Sequence, residues 1–272
     1  MKEGFILIDI EGFKEYLLEE EMSKNTIESY IYGLKRYAER YDDINKQNVI
    51  EFKSYLIDNF KPQTINLRLT AIKRYCEYKK IPIKVKHVKE AHKTYIENII
   101  SAEQFEKLCD GLEKDGNVRW LLYVKFLAKT GMRISEALKI RKKDVLKGEV
   151  IISTKDHYRK IYFPKSLIDD MKQYLDSIDD NQKVMLSYCG KALTSRGVSG
   201  ALQRFATKYD IPKEVMHPHA FRHFFAIEFL KRNSNIALLA DLLGHSNVNV
   251  TQLYLRQSQE QQRQAIDDAV DW

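Results

Sequence analysis

Residues 218–223 read Pro218-His219-Ala220-Phe221-Arg222-His223, and the fold of the 272-residue chain turns on this hexapeptide. Proline lacks the amide hydrogen a helix interior needs, yet suits a first turn, where that hydrogen has no partner. His219 is therefore expected near a helix N-terminus. His219 and Arg222 are three residues apart and share one helix face, so an imidazole and a guanidinium can reach the same phosphate. His219 and His223 also have the four-residue spacing of zinc helices. The intervening Glu of such sites is absent, however, and no carboxylate or thiolate partner is obvious nearby.

Working outward, two more segments carry matching chemistry. Upstream, Gly131-Met132-Arg133-Ile134-Ser135-Glu136 reads as a turn into a helix over 135–140. Arg133 can fork onto a phosphate there, helped by helix N-terminal amides, with Glu136 as its carboxylate partner. Downstream, Leu243-Gly244-His245-Ser246 places Gly244 at the position that closes a helix over 236–243, so that His245 projects from a loop. Tyr254 follows nine residues later; it is one of sixteen tyrosines and stands apart only by that position. Each part alone is ordinary: most such arginines are surface residues and most tyrosines are packing. Together, two arginines can clamp the non-bridging oxygens, two imidazoles can add hydrogen bonds, and a tyrosine can attack the phosphorus. That set can move a phosphodiester onto a protein hydroxyl without a metal.

The periodicity predicts a mainly α chain. In residues 1–82, Asn25 with Glu28 reads as a variant capping box, followed by the stripe Ile27, Ile31, Leu34 and Ala38. Val49, Phe52 and Leu56 mark another helix. After a break over 59–62 comes the stripe Ile65, Leu69, Ile72 and Cys76, whose other faces carry Arg68, Lys73 and Arg74. This small helical bundle reads as a DNA clamp. Residues 83–99 are lysine-rich with little apolar periodicity and read as a basic linker. The capping box Ser101 to Gln104, followed by Phe105, Leu108 and Leu112, opens a second domain, 100–272. Its long helices are expected over 118–129 and from Ser135 onward. The clear β signal is a hairpin of 149–153 and 160–163 around the polar turn 154–158, with 184–188 as a candidate third strand.

Net charge is +7, and its placement says more. Residues 61–93 hold ten Lys/Arg against two acids, whereas residues 1–60 hold eight against thirteen. A stretch so basic suits a phosphate backbone, although a solvated helix face would look the same. Three scattered cysteines without a CxxC pair fit a reducing compartment better than a disulfide framework or a thiolate zinc site. No apolar run reaches the roughly 18 residues of a membrane span, and no signal-peptide pattern is seen.

Arg133, His219-x-x-Arg222, His245 and Tyr254, in that order and with that final spacing, resemble the catalytic signature of the tyrosine recombinases, the phage integrase and Xer-like family. The resemblance covers nearly the whole chain. Ser23-Lys-Asn-Thr-Ile-Glu-Ser-Tyr and Thr64-Ile-Asn-Leu-Arg-Leu look like that family's core-binding domain. It implies an N-terminal SAM-like helical bundle, then a mostly helical catalytic domain with a small β-sheet. Two departures stand out. The family's loop lysine usually lies in a Gly-Lys-Gly turn, whereas here the turn is Thr154-Lys155-Asp156-His157-Tyr158. Lys155 is the best match and Lys160 the alternative. Phe224 replaces a small hydroxyl residue after the His-x-x-Arg-His motif. No extra arm-binding domain is visible.

The resemblance implies a site-specific recombinase or integrase. Tyr254 would attack a scissile phosphate to form a 3′-phosphotyrosyl bond, conserving the phosphodiester without ATP, a metal or any cofactor. Arg133 and Arg222 would stabilise the transition state, with His219 and His245 on the same phosphate. His219 would assist removal of the Tyr254 proton, and Lys155 would protonate the leaving 5′-oxygen. Lys24, Thr26, Arg68, Lys73 and Arg74 are the candidate DNA contacts. The expected partners are double-stranded DNA and further copies in a tetramer on two sites, with accessory DNA-bending proteins left open. The expected place is the cytoplasm, on the nucleoid. The tail beyond Tyr254 holds two basic and four acidic residues and an apolar cluster with Ile266, Ala269 and Val270 at helical spacing. It is expected to dock on a neighbouring protomer, with docking on its own protomer as the alternative. A type IB topoisomerase-like enzyme and a regulator that lost catalysis are competing readings. A metal-dependent integrase is disfavoured, since no carboxylate triad emerges.

Overall fold

The computed structural model describes residues 8–90, 98–153, 158–244, 251, 254 and 266–270. The chain forms two compact units, Met1–His92 and Lys93–Trp272, each around its own apolar core.

In the first unit, four helices, α1 (Ile10–Glu19), α2 (Lys24–Ala38), α3 (Lys46–Asn59) and α4 (Pro62–Tyr78), pack around Phe13, Leu34, Tyr37, Phe52, Leu69 and Tyr75. Burying such side chains is what makes short helices stable, each contributing about 1.5–3 kcal/mol. All four residues of the expected α4 stripe, Ile65, Leu69, Ile72 and Cys76, are buried. The α2 cap differs from the expectation. Ser23, in extended conformation, accepts from the Thr26 amide at 3.2 Å, and Asn25 lies inside the helix. The cap must precede the first helical φ/ψ pair, and Ser23 does so two residues earlier. Where α2 crosses α4, a Cβ on Gly33 would lie 2.9 Å from the Ala71 Cβ, so the close approach needs glycine. Asp9 caps α1 and also receives Lys79 Nζ at 2.8 Å and Tyr78 Oη at 3.0 Å, tying the start of α1 to the end of α4.

Residues 81–90, the end of the expected bundle and the first part of the expected linker, lie against this core. Ile81, Ile83, Val85 and Val88 are half-buried on it, while Pro82, Lys84 and Lys86 face out. Asn66 pins Val88 through both backbone groups, accepting from its amide at 2.9 Å and donating to its carbonyl at 3.1 Å. The segment is an extended strap.

The second unit begins with α5 (Ala102–Lys114), whose Ser101–Gln104 capping box forms in both directions. Its centre is α6 (Val118–Thr130), apolar on nearly every face and buried along most of its length. Then come α7 (Ile134–Ala137), α8 (Lys142–Leu146), strands β1 (Glu149–Ser153) and β2 (Tyr158–Tyr162), α9 (Lys165–Asp176), α10 (Ser195–Lys208), α11 (Pro218–Arg232) and α12 (Ile236–Leu243). The strands pair antiparallel, with Glu149 opposite Tyr162 and Ser153 opposite Tyr158. β2 thus starts two residues earlier than expected and takes Tyr158 from the turn.

Two further expectations are corrected. The helix from Ser135 onward is a single turn: the Lys139 and Ile140 amides bond back only three residues, to the Glu136 and Ala137 carbonyls, and the Ile140 carbonyl then accepts from the Val184 amide at 2.9 Å. Residues 184–188 add no strand to the described sheet, which has two. Val184, Met185 and Leu186 are buried, and their backbone bonds go to separate places: Ile140, Leu193 and the Tyr123 hydroxyl. An apolar run can be core without being a ladder.

Candidate active site

Two helices end at the same place, each on a left-handed glycine. Gly131 (φ +60°) terminates α6 and Gly244 (φ +62°) terminates α12. The last carbonyls of a helix lack internal partners and carry the negative end of its dipole. Here they meet arginines. Arg222, buried in α11 at 2% exposure, donates to the Gly131 carbonyl at 2.9 Å and to Leu243. Arg133, the residue before α7, donates to the Gly244 carbonyl at 3.2 Å. Arg159, on β2, donates to Leu242. Three consecutive carbonyls at the end of α12 thus hold three guanidiniums.

The Glu136 carboxylate is shared by two of them. It accepts from the Arg133 amide at 2.8 Å and from Arg133 Nη1 at 3.2 Å, and forms a close ion pair with buried Arg159. The expectation that Glu136 partners Arg133 is met, and Arg159 is an addition. Burial, with Arg133 and Arg159 nearby, pulls Arg222 down to about 9, so it stays charged at neutral pH. Burial lowers Arg159 too, against the opposing pull of Glu136. So much concentrated positive charge favours an anion in the adjoining cleft of about 1120 Å³, which Arg133, Glu136, Arg159 and Gly244 help to line.

Pro218 begins α11 as expected, and His217 caps it, its Nδ1 accepting from the Ala220 amide at 3.2 Å. His219 is held below its ordinary value by burial and then by Arg222, His217 and Arg133. Its ring meets His223 edge-on at 5.0 Å. The Tyr254 hydroxyl lies 2.8 Å from His223 Nδ1, with its ring packed beside Ala226, Leu239 and Leu243. Burial pushes the phenol up to about 12, opposed by the charges of Arg222 and Arg133. The Tyr254 oxygen is thus beside a base and within the field of both arginines. Among the described residues, no group of three or more His, Cys, Asp or Glu side chains is placed to hold a metal ion.

The family model described as the phage integrase family matches residues 98–261. The chain belongs to the phage integrase family. A second family model, the phage integrase N-terminal SAM-like domain, matches residues 10–80. Tyrosine recombinase XerA of Thermococcus kodakarensis is 29% identical, over 96% of this chain and 94% of the relative. Among solved structures, XerH recombinase in a post-cleavage complex with its palindromic difH substrate superposes with a TM-score of 0.71, at 20% identity, covering 90% of this chain and 79% of that one. A λ integrase tetramer bound to a Holliday junction gives 0.70 at 20% identity, covering 92% and 78%. As a tyrosine recombinase of this family, the chain has the mainly helical fold with a small sheet that the sequence implied.

Of the expected catalytic set, the structure brings together Arg133, His219, Arg222 and Tyr254; Lys155 and His245 lie outside the described residues. The alternative lysine, Lys160, pairs with Glu149 at 3.2 Å. Phe224, in place of the small hydroxyl residue, packs on Phe105 with ring centroids 4.9 Å apart. Sequence reasoning missed Arg159 and the contact of His223 with Tyr254. Both depend on pairings across more than twenty residues, and neither carries a local signal.

The candidate DNA contacts lie in the first unit. Lys24 opens α2, 4.0 Å from Glu28, and Thr26 bonds the Ser23 hydroxyl at 2.8 Å. On α4, Arg68 stacks over the Tyr32 ring at 4.4 Å and donates to the Ser29 carbonyl, whereas Lys73 and Arg74 both pair with Glu77. Among the described residues, no helix is long and apolar enough to cross a membrane.

Proposed function

We propose that this chain is a site-specific DNA recombinase that cleaves and rejoins DNA through a 3′-phosphotyrosyl bond on Tyr254. The observation that carries the reading is the Tyr254 hydroxyl, seated on His223 with the Arg133 and Arg222 charges acting on it. The phenol oxygen attacks the phosphorus as its proton passes to an imidazole. In this arrangement His223 holds the hydroxyl, which leaves His219 for the phosphate. The P–O5′ bond breaks, and the leaving oxygen takes a proton from Lys155. The arginines stabilise the charge that grows on the non-bridging oxygens, and they are already oriented by helix ends, so little reorganisation is needed. The 5′-hydroxyl of a second strand then attacks the phosphotyrosine, reverses the chemistry and exchanges strands.

The domain roles follow: residues 1–82 as a DNA clamp, 83–99 as the connection and 100–272 as the catalytic domain. Lys24, Thr26, Arg68, Lys73 and Arg74 contact the DNA backbone. The ion pairs of Lys24, Lys73 and Arg74 are at the surface and worth about 0–1 kcal/mol, so phosphates displace them readily. Four copies act on two duplexes, and the tail docks on a neighbour. Ile266 and Val270 are exposed in the described part of that tail, as a segment awaiting a surface would be. That relatives matching nearly end to end are named recombinases favours strand exchange over topoisomerase chemistry.

The test is trapping on a nicked suicide substrate built from DNA flanking the gene, with and without EDTA. Wild type is expected to form a covalent adduct in both. Tyr254→Phe is expected to bind DNA normally and form none, since only the nucleophilic oxygen is lost. Normal adduct yield from the Phe variant would remove Tyr254 from the reaction.

A further inference from the structure

Arg159 has no counterpart in the signature that identifies the site, yet it is built into the site more firmly than Arg133. Its side chain is 7% exposed, against 38% for Arg133. It ion-pairs with Glu136, donates to the Leu242 carbonyl, and lies along Gly244, where a Cβ would sit 2.5 Å from Arg159 Cδ. Its Nε is buried with no hydrogen-bond partner among the described residues. A buried guanidinium with one donor unsatisfied is a costly way to fill space, so packing alone does not account for it.

Its position gives a reason. β2 leaves the hairpin turn that carries Lys155, Glu136 holds Arg133 by backbone and side chain, and Leu242–Gly244 is the end of α12, which His245 follows. One side chain therefore joins β2 to Glu136, which holds Arg133, and to the end of α12. The charge count matters as well. Glu136 is a single negative charge between two guanidiniums. With Arg159 present, the trio keeps a net positive charge. Without it, the carboxylate has only Arg133 to pair with, and the remaining pair carries no net charge to offer an anion.

We infer that Arg159 is a positioning residue for cleavage: it balances Glu136 so that the charge of Arg133 stays available to the phosphate, and it fixes the end of α12 against the hairpin. This rests on the Tyr254 reading, and the two can fail separately. Single-turnover cleavage of the suicide substrate and gel-shift affinity are measured for wild type, Arg159→Met, Arg159→Lys and Glu136→Gln/Arg159→Met. The rise in melting temperature caused by orthovanadate, a phosphate mimic, is measured for the same four without DNA. Arg159→Met is expected to cleave about 100-fold more slowly with duplex affinity near wild type. The double variant is expected to cleave about tenfold faster than Arg159→Met, because a neutral amide in place of the Glu136 carboxylate no longer cancels the charge of Arg133. Arg159→Lys should fall between wild type and Arg159→Met, and the vanadate response should follow the same order. A scaffold role alone would leave the vanadate response of every folded variant at the wild-type level. Wild-type cleavage by Arg159→Met, or a double variant slower than Arg159→Met, overturns the inference. Should Arg159→Met not fold, Arg159→Lys decides: wild-type cleavage and vanadate response would overturn it. If wild type forms no adduct, the Tyr254 reading fails and the vanadate series alone decides Arg159.

Discussion

Arg74 in the first unit and Arg222 in the second are the same side chain under opposite conditions. Arg74 lies on the surface of α4, its side chain 37% exposed and paired with Glu77 at 3.0 Å. Arg222 is buried, held by the carbonyl ends of two helices, and lowered by burial and by its arginine neighbours. An exposed cation is hydrated, mobile and screened by salt, so it exchanges partners at little cost. A buried one is fixed before any ligand arrives, and its desolvation was met during folding. The first condition suits loose attraction to a long polyanion. The second suits a group that must stabilise charge at one point in a reaction. The contrast supports the proposed division of the chain into a DNA-binding unit and a chemical unit.

The sharpest way to break this comparison is to replace the two arginines of the second unit that are held by helix-end carbonyls, buried Arg222 and half-buried Arg133, by lysine. Arg222→Lys and Arg133→Lys are each expected to lower single-turnover cleavage by about 100- to 1000-fold, because a point ammonium cannot span a helix carbonyl and a phosphate oxygen together. DNA affinity should change little. Near wild-type cleavage by either variant would show that its fixed fork is not needed. On the exposed side, Arg68→Ala/Lys73→Ala/Arg74→Ala should weaken DNA binding without slowing cleavage at saturating protein. The slope of log affinity against log salt should fall by roughly 2–3, about 0.9 for each phosphate no longer neutralised. An unchanged slope would move the DNA face elsewhere.

The smallest effect concerns stability. Burial, then Arg222, His217 and Arg133, hold His219 below its ordinary value of 6.5. The unfolded chain therefore binds a proton at this site more readily than the folded one. The stabilisation is complete above the unfolded value and is lost as pH falls through 6.5 toward the lower folded value. The melting temperature should drop between about pH 7 and pH 5. His219→Gln should flatten part of that slope, and His217, which burial also lowers, contributes to the remainder. An identical slope in the variant would mean that His219 is not held neutral by its surroundings.

The legible parts of the fold share one property: the signal lies within a few residues of the feature. The α4 stripe, the Ser101–Gln104 capping box, Pro218 at the start of α11 and Gly244 at the end of α12 are all of this kind. The strap has a local signal too, but a masked one. Ile81, Ile83 and Val85 alternate with Pro82 and Lys84, a period of two that the lysine content hides. The single turn of α7 is not legible, because the chain that leaves it pairs with a distant segment, the Ile140 carbonyl accepting from the Val184 amide. The buried run 184–186 reads like a strand because apolar runs in a core and in a sheet are alike in sequence.

The sequence by itself determined which side chains could do chemistry and which helices would carry them, because spacing and capping are local. Arg133, His219, Arg222 and Tyr254 were candidates because their order and spacing resemble the signature of the tyrosine recombinases. Only the tertiary structure decided that three arginines converge on the last three carbonyls of α12, that Arg159 is one of them, and that His223 holds the Tyr254 hydroxyl. A buried cation must find its partners wherever the packed chain presents carbonyls and carboxylates. Those partners lie up to 111 residues away, as between Arg133 and Gly244.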